Sequence, residues 1–255
     1  MKKYRLDYFL SENNFSSSLE QAQKEIITGW VKVDGETVYN SQKKISGQEK
    51  IIIKRPKGRF VSRGGEKLDY SLKKFKIDLK GKVAVDIGAS TGGFTDCLLK
   101  AGAKKVYSID VGYGQFDYSL RNDARVILQE RTNIRDVSSD FFKDKVDFLG
   151  IDLSFVSIVD IFKNIKQIFI PFFPLEGVIL VKPQFEANPE EQVKGVVSEV
   201  ENHKKILDRV LKGLFFQGLT LKNISLSPLK GPAGNIEFLL YFALGEIRQE
   251  STLNR

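Results

Sequence analysis

Apolar and polar positions follow different patterns before and after residue 60. From there onward, apolar runs of strand length alternate with segments of helical length. The runs that predict buried strands lie at 83–87, 106–111, 125–129, 146–151, 176–182, 220–226 and 237–244, and helices are predicted at about 156–168 and 199–216. This alternation predicts an α/β fold with a Rossmann-like, mostly parallel sheet of seven strands and helices on both faces. The last two strands are joined by a segment without helical pattern, so we expect them to pair antiparallel.

The first 59 residues predict a small α+β module that ends in a linker of mixed charge. Ser17 and Glu20 have the spacing of a capping box, which predicts the start of a helix there. Alternating apolar and polar residues around the Asp34-Gly35 turn, followed by the apolar run 51–53, predict a hairpin and one further strand. The module is too small to be an enzyme, so we expect any catalysis in residues 60–255.

Small residues after the strand at 83–87 indicate a pocket for a nucleoside-containing molecule. The strand ends in Asp86-Ile87, and the residues that follow are Gly88, Ala89, Ser90, Thr91, Gly92, Gly93 and Phe94. Glycines allow a tight turn and a close approach of ligand to backbone. The order departs from G-x-G-x-x-G, which argues against a pyrophosphate. Asp110 ends the next strand, where such folds place the acid that binds ribose hydroxyls. The alternative is an ordinary strand-to-helix turn.

The charge distribution and the cysteine content indicate the kind of partner and the compartment that we expect for this chain. Residues 1–65 contain 13 Lys and Arg against 7 Asp and Glu, so they carry +6 of the chain's net charge of +8. This asymmetry favours a polyanionic partner, nucleic acid first and an anionic membrane second. Cys97 is the single cysteine, which excludes an internal disulfide and a cysteine-ligated metal site, and fits a reducing cytoplasm. We find no apolar leader after Met1 and no uninterrupted span for a bilayer, so we expect no membrane insertion.

Charged residues at strand ends are the candidates for chemistry. Asp152 follows the fourth predicted strand and Lys182 the fifth, while Glu237 begins the last and Lys67 follows Arg63-Gly64-Gly65-Glu66. A lysine beside apolar residues and a carboxylate is tuned for proton transfer. The alternative for Lys182 is a lysine that snorkels to solvent at a strand end, and the alternative for Lys67 and Glu237 is a solvated surface charge. His203 is the single histidine and lies among polar residues, so we expect it in solvent, and a histidine metal site or a Ser-His-Asp triad has no partners.

Several longer motifs carry a resemblance to a known family. They are Ser62-Arg63-x-x-x-Lys67-Leu68, the run from Asp86 to Asp96, Asp110-Val111-Gly112, Asp152-x-Ser154-Phe155, 181–186 and Gly234-Asn235-x-Glu237-Phe238. This set resembles the TlyA family, a branch of the FtsJ-like ribose 2′-O-methyltransferases. Its members join an RNA-binding domain of the ribosomal-protein-S-four type, here residues 1–59 with the linker, to an S-adenosylmethionine-dependent methyltransferase domain, here 60–255.

The resemblance implies a site and a substrate. Lys67, Asp152, Lys182 and Glu237 become a catalytic tetrad in which Lys182 deprotonates or steers a cytidine 2′-hydroxyl. The implied cofactor is S-adenosylmethionine, bound by Asp86, Gly88, Ala89, Ser90, Thr91, Gly92, Gly93 and Phe94 at its methionine end, by Asp110 at the ribose and by Asn133 at the adenine. The implied partner is ribosomal RNA within ribosomal subunits, with no membrane and no metal, and whether the large subunit alone or both subunits are substrates stays open. The oligomeric state and the modified cytidine stay open.

One departure and two rival functions accompany this interpretation. Relatives commonly have Ser-Arg at the start of the first module's helix, whereas this chain has Ser18-Leu19, so one RNA-contacting cation is missing. Four lysines can replace it through phosphate contacts: Lys24, Lys32, Lys43 and Lys44. Because family members also carry a haemolysin label, a membrane-active toxin is the first rival. A non-catalytic RNA-binding factor of ribosome assembly is the second.

Overall fold

The computed structural model describes residues 3–16, 18–27, 29–54, 58–231 and 234–245. The chain divides between Gly58 and Arg59 into two units. Apolar side chains are buried within each unit, in one cluster in the first unit and in two clusters in the second.

The first unit contains two helices and five short strands. They are β1 (Tyr4–Arg5), α1 (Leu6–Glu12), α2 (Leu19–Ile27), β2 (Val31–Val33), β3 (Glu36–Thr37), β4 (Lys44–Ile45) and β5 (Ile51–Ile53). Strands β3, β2 and β5 form one antiparallel sheet, and β1 pairs with β4. Asp34 and Gly35 both have positive φ, 51° and 89°, as a two-residue hairpin turn requires. The predicted hairpin and third strand are therefore present.

Ser18 caps the start of α2, and the capping box of Ser17 and Glu20 stays a prediction. Ser17 lies outside the described residues, and it is the hydroxyl of Ser18 that accepts a hydrogen bond from the Gln21 backbone N–H at 3.1 Å. Ser18 thus satisfies one of the N–H groups that a helix leaves without partners at its N-terminus.

The second unit is a seven-stranded sheet with helices on both faces. Its elements are α3 (Arg63–Lys74), β6 (Val83–Ile87), α4 (Gly93–Lys100), β7 (Lys105–Ile109), α5 (Tyr118–Arg121), β8 (Val126–Gln129), β9 (Phe148–Ile151), α6 (Ile158–Phe169), β10 (Leu175–Val181), α7 (Pro183–Glu186), α8 (Val200–Phe216), β11 (Thr220–Leu226) and β12 (Phe238–Leu244). The strand order is β11-β12-β10-β9-β6-β7-β8. The pairs among β6 to β10 are parallel, and β12 pairs antiparallel with β10 and β11. The predicted fold and the antiparallel closing hairpin are confirmed.

Strand positions agree with the apolar runs because the sheet is buried on both faces. All five residues of β6 are buried. One apolar cluster packs the sheet against α6 and α8, and a second packs it against α3 and α4. Strand β9 begins two residues later than predicted. Asp147, just before it, is held by hydrogen bonds with Val83: its backbone N–H donates to the Val83 carbonyl at 2.9 Å and its carboxylate accepts the Val83 N–H at 3.0 Å.

His203 is buried, which corrects the expectation that it lies in solvent. Its side chain is 6% exposed, Nδ1 lies 2.9 Å from the Glu199 carbonyl oxygen, and the ring packs against Phe238. The buried positions of α8 are His203, Ile206, Val210 and Leu214, which follow helical spacing. The polar sequence neighbours of His203 were therefore misleading, because they lie on other faces of the helix.

Candidate active site

Four charged side chains from distant parts of the sequence line one cavity of about 370 Å³ in the second unit. They are the four predicted catalytic residues, Lys67, Asp152, Lys182 and Glu237. Six of the predicted cofactor residues line the same cavity: Gly88, Ala89, Ser90, Thr91, Gly93 and Phe94. The convergence follows from the sheet, since β9 and β10 are parallel neighbours and Asp152 and Lys182 come directly after them.

Lys67 and Glu237 form a buried ion pair. Lys67 projects from the first turns of α3 and is 7% exposed, while Glu237 directly precedes β12 and is 1% exposed. Lys67 Nζ donates to Glu237 Oε2. The other carboxylate oxygen, Oε1, is buried without a protein partner. A Cβ at Gly231 would lie 2.7 Å from Oε1, so the glycine leaves room for the carboxylate in its present position.

Lys182 is held by two side chains of the loop that follows β9. Its Nζ lies 2.7 Å from Asp152 Oδ1 and donates to Ser154 Oγ, also at 2.7 Å. The contact with Oδ1 is an ion pair without hydrogen-bond geometry. Because Val181 pairs with Phe238 in antiparallel strands, Lys182, just after β10, and Glu237, just before β12, lie at the same end of these two neighbours. The two ion pairs therefore share one edge of the sheet.

The loop from Gly88 to Gly93, called the glycine loop below, lies directly against the backbone of Asp152. Gly88 has φ of 89°, and a Cβ there would lie 2.4 Å from the Asp152 carbonyl oxygen. The Asp152 N–H also donates to the Ile87 carbonyl at 2.9 Å. A residue without a side chain at position 88 is thus required for the close approach of the loop to the catalytic candidate.

A second cavity of about 540 Å³ adjoins the first, since both are lined by Gly88, Ser90, Asp152, Ser154 and Phe155. The predicted residues Asp110 and Asn133 line this second cavity. Asp110 accepts the N–H groups of Ser90 at 2.8 Å and Gly112 at 2.6 Å, one on each oxygen. Since a carboxylate has about four acceptor positions, the group keeps capacity for ligand hydroxyls. The size suits a nucleoside with an attached tail.

Asp86 and Gly92 line neither of these two cavities, unlike the other predicted cofactor residues. The Asp86 carboxylate is fully buried and accepts hydrogen bonds from the Thr95 backbone N–H at 2.9 Å and hydroxyl at 2.6 Å, near the start of α4. Burial raises the pKa of Asp86 to about 7. Gly92 packs against Phe116 and Leu120. Both residues therefore contact the protein interior and not the two cavities.

Sequence reasoning assigned no role to several further residues of the first cavity. Ser62, Ser154, Phe155, Gln184 and Phe185 also line it. Phe155 is 91% exposed and has φ of 63°, an uncommon conformation for a large side chain. Their sequence positions could have identified four of them, because residues 154 and 155 lie in the same strand-end loop as Asp152, and residues 184 and 185 follow Lys182.

Two observations concern metals and membranes. Among the residues that the structure describes, no group of three or more His, Cys, Asp or Glu side chains is arranged to hold a metal ion. In the same part of the chain, no helix combines the length and the apolar character needed to span a bilayer.

A seven-stranded sheet of this topology, with adjoining cavities at the carboxyl ends of its parallel strands, is typical of α/β methyltransferases. Residues 60–244 match the FtsJ-like methyltransferase family, and the chain belongs to that family. Its relatives include proteins named TlyA and hemolysin A.

Three comparisons illustrate the relationship. The chain is 35% identical over 242 residues to the 16S/23S rRNA (cytidine-2′-O)-methyltransferase TlyA of Mycobacterium tuberculosis, covering 94% of this chain and 90% of the relative. It is 39% identical over 247 residues to Hemolysin A of Brachyspira hyodysenteriae, covering 94% and 100%. A solved structure from Streptococcus thermophilus, provisionally named a hemolysin, is 37% identical with a TM-score of 0.74, covering 96% and 90%.

Proposed function

We propose that this protein transfers a methyl group from S-adenosylmethionine to the ribose 2′-hydroxyl of a cytidine in ribosomal RNA. One observation carries the proposal. Two ion pairs, Lys67–Glu237 and Lys182–Asp152, line one cavity, and the cavity beside it is large enough for a nucleoside. The substrate follows from relatives whose names specify cytidine-2′-O methylation of 16S and 23S rRNA.

The larger cavity fits S-adenosylmethionine. Asp110 is the group that would accept the ribose hydroxyls, and Asn133, which lines the same cavity, would contact the adenine. The loop from Gly88 to Gly93 would hold the methionine end where the two cavities meet, with Asp86 supporting it from below. When bound, the cofactor supplies an electrophilic methyl group on a sulfonium.

Lys182 would position the 2′-oxygen. Its ammonium is held by the ion pair with Asp152 and the hydrogen bond to Ser154, which leaves N–H groups that can donate into the cavity. A positive charge placed there stabilises the alkoxide character that develops on the 2′-oxygen as its proton passes to water. Holding the hydroxyl in line with the methyl group also removes a large entropic part of the barrier. Lys67 and Glu237 would fix the opposite side of the cavity.

Exposed groups on both units fit an RNA partner. Phe155 lies at the cavity with its ring centroid 5.1 Å from that of Phe185, and offers an open face on which a base can stack. We assign residues 1–59 as the RNA-binding domain, with Lys32, Lys43 and Lys44 as phosphate contacts. The side chain of Lys24, grouped with them above, lies outside the described part.

The test compares two lysine variants. Lys182→Ala should lower methyl transfer to ribosomal subunits by roughly 100-fold or more, because it removes the group that positions the nucleophile. Its calorimetric affinity for S-adenosylmethionine should stay near that of the wild type. Lys163→Ala, which removes an exposed lysine of α6, is the matched control and should transfer methyl normally. Normal turnover by Lys182→Ala would contradict the mechanism, and wild-type protein that binds ribosomal RNA without methylating it would favour an assembly factor.

A further inference from the structure

Two segments that carry the catalytic candidates are joined by successive contacts. One segment is the loop between β9 and α6, and the other runs from Lys182 through α7. Ser154 accepts a hydrogen bond from Lys182 at 2.7 Å, and the rings of Phe155 and Phe185 lie 5.1 Å apart. The last contact of the series involves Glu186, at the end of α7.

Glu186 supplies the cap that α6 lacks from its own sequence. Ser157 is the N-cap residue of α6 but makes no side-chain cap. Instead its hydroxyl donates to Glu186 Oε2 at 2.6 Å, and the Ile158 backbone N–H donates to Oε1 at 2.7 Å. A carboxylate is the group that a helix N-terminus favours. Here it comes from a segment 28 residues further along the chain.

The other side of Glu186 is anchored to α8. Arg209 donates to the Glu186 carbonyl oxygen at 2.8 Å and forms an ion pair with Glu191 at 2.7 Å. Desolvation raises the pKa of the Glu186 carboxyl, opposed by its hydrogen bonds with Ser157 and Ile158. Glu186 therefore connects three elements, α6, α7 and α8, within a few residues of Asp152 and Lys182.

We propose that Glu186 is a positioning residue for methyl transfer, which holds the Asp152–Ser157 loop against the Lys182–Glu186 segment and so sets the placement of Lys182 beside Asp152 and Ser154. The inference rests on the proposed function and adds to it a residue outside the four charged groups. Glu186 does not line either cavity, so its effect is transmitted through the two segments.

The experiment compares Glu186→Ala, Glu186→Gln and the control Glu190→Ala, which removes an exposed carboxylate from the same stretch. Glu186→Ala should lower kcat by about tenfold, since small displacements of reacting groups are costly. The KM for ribosomal RNA should stay within about threefold, because the docking surface is untouched. Glu186→Gln should recover most of the kcat, since its amide can accept from Ile158 and donate to Ser157. Glu190→Ala should behave as wild type.

Amide hydrogen exchange gives a second readout that needs no activity. Well below the melting temperature, Glu186→Ala should exchange faster than wild type over residues 152–158, and Glu186→Gln and Glu190→Ala should not. If Glu186→Ala does not fold, Ser157→Ala, which removes only the 2.6 Å bond, provides the same comparison. An unchanged kcat in Glu186→Ala, or a loss that glutamine does not recover, would overturn the inference. Wild-type protein that transfers no methyl group would overturn the proposed function. The exchange data would still show whether Glu186 holds the Asp152–Ser157 loop in place.

Discussion

Replacing Gly88 by alanine tests whether the glycine loop holds Asp152 in place. The added Cβ would lie 2.4 Å from the Asp152 carbonyl oxygen and 2.9 Å from its carbonyl carbon, at a φ of 89°. Gly81→Ala is a matched control, because Gly81 has a φ of 72° and no atom within 4 Å of the added carbon. Both variants carry the cost of alanine in a left-handed conformation, about 1–2 kcal/mol. Only Gly88→Ala adds overpacking, about 1–3 kcal/mol.

The difference between the two variants isolates the contact with Asp152. For a unit of this size, 1 kcal/mol corresponds to roughly 2–4 °C in Tm, so Gly88→Ala should melt roughly 2–12 °C below Gly81→Ala. Displacement of the Asp152 backbone should also lower methyl transfer, which Gly81→Ala should leave unchanged. Thermal unfolding followed by circular dichroism, together with a methyl-transfer assay, measures both effects. Equal melting temperatures and equal rates for the two variants would refute the reasoning.

Three further variants test other parts of the account. Asp110→Ala should weaken S-adenosylmethionine binding in calorimetry by about tenfold or more, since charged hydrogen bonds are worth about 1.5–3 kcal/mol, and an unchanged affinity would remove Asp110 from the cofactor site. Lys67→Ala leaves Glu237 buried and unpaired, so denaturant titration should show a loss of about 3–5 kcal/mol, whereas a loss near zero would mean that the pair is solvated. The pKa of Asp86 is raised to about 7 by burial, so the folded state keeps a proton that the unfolded chain releases near pH 4, and the stability that this group contributes is lost as pH rises from about 4 to about 7. Asp86→Asn should therefore gain stability relative to wild type between pH 4 and pH 7, and a pH-independent difference would contradict the burial of a titrating carboxyl.

The sheet could be predicted from the sequence because its strands are buried on both faces and read as continuous apolar runs. Asp152 and Lys182 could be selected for a related reason, since charged residues that directly follow such runs come to the edge where parallel strands end. The pairing of Lys67 with Glu237 could not be predicted from spacing. The two residues are 170 positions apart and meet because β12 returns beside β10.

Other features depended on packing that local sequence does not encode. His203 has polar neighbours, but the helix face it shares with Ile206 is buried against the sheet. Asp86 ends a strand as a cofactor ligand would, yet its carboxylate turns to Thr95 and the start of α4. The cap that Glu186 provides for α6 joins residues whose relation appears only when β9 and β10 lie side by side.

The most direct test of the central claim is the chemical identity of the methylated nucleoside. Purified wild-type protein is incubated with separated ribosomal subunits and S-adenosylmethionine labelled in its methyl group, and the RNA is then digested to nucleosides and analysed by mass spectrometry. The arrangement of Lys67, Asp152, Lys182 and Glu237 predicts label on a ribose 2′-oxygen, and the proposed function specifies 2′-O-methylcytidine. Label on a base, or no transfer to either subunit, would contradict it.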